Sequence, residues 1–94
     1  MSVPASTHTF TDTLVVEVAI PVPLRRTFAY EVPEALQDQV RSGAVVSVPF
    51  GSRIVSGFVV EVYHRQSDAW LKVAKHFAQD LKPIRAVLDP ELSL

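Results

Sequence analysis
A mainly β domain, built as a small antiparallel barrel or sandwich with one or two short helices, is the fold class that this 94-residue sequence predicts. Three observations carry that expectation. Four or five short segments are rich in Val, Ile, Phe and Tyr, residues that fit a pleated surface. Proline, glycine and serine punctuate the gaps between them. Apolar residues at helical spacing occur in only two short stretches.

Taken in order, residues 1–13 (MSVPASTHTFTDT) are rich in Ser and Thr, show no periodicity and read as a flexible leader. Residues 14–20 (LVVEVAI) put Val16, Val18 and Ile20 on one face of a strand. Pro21 and Pro23 stop it, because neither can donate to a ladder. Residues 27–32 (TFAYEV) form a second strand with Phe28 and Tyr30 sharing a face. Residues 33–40 (PEALQDQV) read as a short helix, with Pro33 opening it, Glu34 at the positive end of its dipole and Gly43 as terminator. Residues 44–50 (AVVSVPF) and 54–63 (IVSGFVVEVY) are strands joined by a turn at Gly51 and Ser52, and Gly57 marks a bulge or a close backbone approach. Residues 68–81 space Trp70, Leu71, Ala74, Phe77, Ala78 and Leu81 as a helix, with Asp68 a candidate cap. Residues 82–88 (KPIRAVL) complete the set as a last strand with Pro83 near its start. Pattern leaves two barrel types open, OB-like and SH3-like.

Length allows one small core, burying roughly 60–65% of the unfolded chain's surface. With 48% apolar residues the chain is globular in composition. Cysteine is absent, which excludes a disulfide scaffold and a thiolate zinc site. No apolar run exceeds seven residues, too short for a membrane span, and the first residues lack the pattern of a secretory signal. The net charge of −1 argues against binding nucleic acid by blanket phosphate neutralisation. The charge is uneven, however. All nine Lys and Arg lie between Arg25 and Arg85, against six acids in that stretch, a surplus of three cations. That is enough for a small basic face.

No Walker A, GxGxxG, GxSxG or HExxH pattern is present. His8, His64 and His76 are widely spaced and read as surface histidines rather than ligands. Glu31, Glu34 and Asp38 cluster at the expected helix start, where the dipole accounts for them without acid–base chemistry. Two segments carry more. Residues 20–30 (IPVPLRRTFAY) follow two stiffening prolines with a basic pair and two aromatics, the residue types on which bases stack and phosphates pair. Core residues of an ordinary strand are the plainer reading of Phe28 and Tyr30. In residues 48–53 (VPFGSR), Gly51 permits a positive φ and close approach of a ligand to the main chain, with a simple hairpin turn as the plainer reading.

Together the segments I-P-V-P-L-x-R-T-F-x-Y (Ile20 to Tyr30), V-x-V-P-F-G (Val46 to Gly51) and L-K-P-I-x-x-V-L-D (Leu81 to Asp89) resemble, in order and spacing, the N-terminal domain of the primosomal protein N′ family of bacterial replication-restart helicases. The resemblance covers residues 16 to about 91. It implies an OB-like fold that captures the 3′-OH end of the nascent leading strand at stalled forks. It implies a pocket formed by Phe28, Ala29, Tyr30, Gly51 and Lys82, with Arg25 and Arg53 as phosphate contacts. Such families typically carry aspartate where this chain has Ala29, and a shorter connection than residues 64–80. The expected organisation is a leader at 1–13, a DNA 3′-end-binding domain at 14–89, and the start of a linker to helicase domains at 90–94. The domain itself is expected to be non-catalytic and to hold no cofactor or metal. The resemblance assigns ATP, Mg and zinc, an ATP-dependent 3′–5′ helicase motor, and contacts with primosome and single-strand-binding proteins to a parent protein. It places that parent in the cytoplasm with the nucleoid, away from membranes. Two other classes fit the residues: a small β-barrel module for protein–protein contact that grips an extended peptide, and a small-molecule regulatory domain.

Overall fold
The computed structural model describes residues 13–23, 26–77 and 80–88, so the leader, apart from Thr13, and the linker lie outside the described residues. Five strands form one curled sheet: β1 (Leu14–Ala19), β2 (Thr27–Val32), β3 (Val45–Phe50), β4 (Arg53–His64) and β5 (Ala86–Leu88). Their order is β2-β1-β4-β3-β5, with every named pair antiparallel. Alternation decides which residues face in. Val16, Val18 and Ile20 join Tyr30, Val32, Val46, Val48, Val59 and Ile84 in the main core.

The mainly β expectation holds, and the sheet closes towards a barrel by a device the strands alone do not announce. Residues 82–84 run along β2. Glu31 donates its N–H to the Lys82 carbonyl at 3.0 Å, and Ile84 donates back to the Glu31 carbonyl at 3.0 Å. The same segment then becomes β5 and pairs with β3. One stretch thus bonds to β2 at Glu31 and pairs with β3, covering main-chain groups on both strands that would otherwise be open.

Gly57 is the close approach foreseen. A Cβ there would lie 2.6 Å from Val18 Cγ1 and 2.8 Å from the Ala19 carbonyl oxygen. The bulge is separate, between the pairs Glu17–Glu61 and Val18–Val59, which leaves Val60 as the extra residue. After β1, Val22 donates to the Ile20 carbonyl at 2.8 Å, a tight turn that suits the fixed φ of Pro21.

Both helices are shorter than expected. The first is a 3₁₀ helix, Glu34–Gln39, with no buried residue to stabilise an α-helical turn. Val40 leaves it extended, and Gly43 (φ 92°) instead turns the chain into β3. The second is α-helical only over α1 (Asp68–Val73), then 3₁₀ over Ala74–His76. Ser67, not Asp68, caps it, accepting the Trp70 N–H at 3.1 Å. Phe77 then turns extended and stacks on Trp70, centroids 5.8 Å apart at 15°. Trp70, Val15 and Leu81 form a second small core on the outer side of β1. Among the described residues no helix is long and apolar enough to cross a membrane.

Candidate nucleic-acid interface
The curl of the barrel brings the start of β2 against the end of β3, two strands that do not pair. The Tyr30 hydroxyl fastens them, donating to the Pro49 carbonyl at 2.7 Å. Burial pushes that hydroxyl's pKa up, so it stays a neutral donor. The main-chain bond from Glu31 to Lys82 brings the third segment alongside.

Between these parts lies an open depression of about 210 Å³. Phe28, Ala29 and Tyr30 form one wall, and Pro49, Phe50 and Gly51 another. Arg26, Phe77, Asp80 and Lys82 complete the lining. Phe28 and Phe50 meet edge to face, centroids 5.1 Å apart at 77°. The Arg26 guanidinium sits 4.7 Å from the centre of the Phe28 ring, a favourable cation–ring contact. Gly51 takes φ +64° and is exposed, with open space where a Cβ would point.

Five residues singled out in the sequence, Phe28, Ala29, Tyr30, Gly51 and Lys82, therefore share one depression. Tyr30 is 5% exposed, so it contributes a tie between the walls more than a stacking surface. Arg53 pairs with Phe50 across the turn, is exposed, and is absent from the lining. Arg25 lies outside the described residues. Arg26 and Phe50 were within the two motifs but not singled out. The sequence places Phe77 only on a helix face and gives Asp80 no signal; the chain leaves the helix before Phe77, and both residues line the depression. The plainer reading of Phe28 and Tyr30 is also realised, since Tyr30 belongs to the main core and Phe28 packs against it.

Two cations, one carboxylate and four aromatic residues line the depression, beside main-chain groups. That donor and acceptor set fits a single nucleotide end rather than a duplex, which needs a longer basic track. Among the described residues no cluster of His, Cys, Asp or Glu is placed to hold a metal ion.

Residues 17–94 match the 3'DNA-binding domain (3'BD) family, a span that takes in the whole lining of the depression. The chain belongs to the 3'BD family. It is 38% identical over 69 residues to the replication restart protein PriA of Bacillus subtilis (strain 168). That alignment covers 73% of this chain and 8% of the relative, so the chain spans a small fraction of the relative's length. Membership in the 3'BD family makes this a DNA-binding domain.

Proposed function
We propose that this domain captures the 3′-OH end of the nascent leading strand at stalled replication forks, with the depression as the terminal-nucleotide pocket. The observation that carries the reading is the meeting of Phe28, Gly51 and Lys82, from three separate segments, around one cavity. The terminal base lies against the Phe28 and Phe50 rings. Lys82 takes the last phosphodiester, and Arg26 exchanges its ring contact for the same phosphate. The Asp80 carboxylate accepts the proton of the terminal hydroxyl, whose oxygen lies against the exposed Gly51 main chain. A 3′-phosphate in the same place would face Asp80 and be repelled.

In the parent protein, this domain would deliver the 3′ end to an ATP-dependent 3′–5′ helicase motor that uses Mg and carries zinc elsewhere. Primosome and single-strand-binding proteins would act through that full-length protein, in the cytoplasm at the nucleoid. The relative's name, replication restart protein, supports a role at stalled replication forks. The test is fluorescence anisotropy of this domain with labelled single strands ending in 3′-OH or 3′-phosphate. Tighter binding to the free hydroxyl is expected. Equal affinity for both ends refutes terminal capture.

A further inference from the structure
A second depression, of about 400 Å³, adjoins the first and shares two lining residues with it, Arg26 and Phe77. Its other walls are Glu17, Thr27, Val73 and His76. Val73 and His76 come from α1 and the 3₁₀ turn behind it, so the segment 68–77 builds this space beside the barrel. We propose that the second depression seats the penultimate nucleotide's base, making the interface a two-nucleotide site with Arg26 at the phosphodiester between. The inference rests on the first depression being the terminal pocket.

Three features point to a base rather than a phosphate. The first is the shared wall. A strand whose last nucleotide fills the first depression can pass into the second over Arg26, an exposed cation placed for the linking phosphate. The second is the apolar wall. Phe77 is held in place from behind by Trp70, which stacks on it, and Val73 lies beside it. A ring held on one side is ready for stacking on the other, and stacking tolerates any base. The third is Glu17. Its carboxylate already accepts hydrogen bonds from Thr27 Oγ1 at 2.6 Å and from the Tyr63 hydroxyl at 3.1 Å, which fix its orientation. A carboxylate has about four acceptor positions, so two remain for base N–H groups. The same negative charge turns a phosphate away, which leaves the base as the part of the nucleotide that fits.

The experiment compares 3′-OH single strands that are intact, abasic at the penultimate position, or abasic at the fourth position from the end. Fluorescence anisotropy gives each affinity. The penultimate abasic strand is expected to bind at least about five-fold more weakly than the intact one, the lower end of what stacking one base contributes. The strand abasic at the fourth position should bind like the intact one. Val73→Ala and His76→Ala should each shrink the penultimate penalty, and these variants are compared only with their own intact-strand affinity. Equal binding of the two abasic strands overturns the second subsite. If the preference for 3′-OH over 3′-phosphate then persists, terminal capture stands while the subsite falls. Loss of that preference on intact strands overturns both.

Discussion

Gly51 and Gly43 stand at opposite ends of β3, both at positive φ, +64° and +92°, and both with nothing within 4 Å of the place a Cβ would occupy. They make a matched pair for separating backbone strain from ligand contact. An L-residue in the left-handed region costs about 1–2 kcal/mol, and no steric clash adds to that at either site. Gly51→Ala and Gly43→Ala should therefore each lower unfolding free energy by about that amount, shifting the urea midpoint by roughly 1 M for a small domain. Their effects on DNA should differ. A net main-chain hydrogen bond to the terminal hydroxyl contributes about 0.5–1.5 kcal/mol, or roughly two- to twelve-fold in affinity. Gly51→Val, whose branched side chain also stands where the sugar approaches, should weaken 3′-OH binding by at least that factor. Gly43→Val should leave it unchanged. Urea titration and anisotropy on the same four proteins check both halves. Equal affinity losses at positions 43 and 51, or none at either, would refute the claim that the ligand approaches the main chain at Gly51.

Other expectations follow from the same geometry. Lys82→Ala and Arg26→Ala combined should reduce the salt slope of binding by about 0.7, one single-strand phosphate's share, because both cations face the same phosphodiester, whereas Arg53→Ala should leave it unaltered because Arg53 lies off the lining. Asp80→Asn should narrow the preference for 3′-OH over 3′-phosphate ends, mainly by strengthening binding of the phosphate; an unchanged ratio would show that Asp80 does not face the terminus. Gly57→Ala should destabilise the domain by about 1–3 kcal/mol through overpacking, since its methyl would meet Val18 Cγ1 at 2.6 Å and the backbone of Ala19; urea melts measure it. Burial raises Tyr30 above its ordinary pKa of 10.0, and burial followed by the Glu17 hydrogen bond and the charges of Glu17 and Glu61 raises Tyr63. The stability these neutral hydroxyls contribute is complete below pH 10 and is lost as pH rises through their folded-state values, so urea midpoints should fall above about pH 10. The fall should be shallower in Tyr63→Phe.

The strands were legible because local pattern and tertiary role agree. Val16, Val18 and Ile20 alternate in the sequence and enter the same core. The two helices were overread for the opposite reason. Apolar spacing continues through Phe77 and Leu81, but Phe77 leaves the helix to stack on Trp70, and Leu81 joins that cluster from the chain running back to β2. Spacing along one helix and packing from two directions give the same periodicity. The depression depends on contacts with no local signal: Tyr30 to Pro49, and Glu31 to Lys82. The motifs identify the segments, and only the closure of the barrel shows that Phe77 and Asp80 arrive at the same place.

The alanine at position 29 and the length of the connection before Asp80 are linked by that arrangement. Ala29 lies on the face of β2 opposite Phe28 and Tyr30, and packs with Val15, Trp70 and Leu81 while also touching the depression. Trp70 is there because the connection contains α1. An ionised aspartate at position 29 would sit against that apolar cluster, where losing water disfavours its charge. A small apolar residue fits beneath Trp70 instead. The connection that brings the cover also ends at Asp80, which is exposed and lines the depression from the rim. There a carboxylate keeps its hydration until a ligand arrives. On the proposed reading, the acceptor that the resemblance leads one to expect at position 29 is supplied at position 80. End recognition then depends on the same segment whose Val73 and Phe77 wall the neighbouring depression.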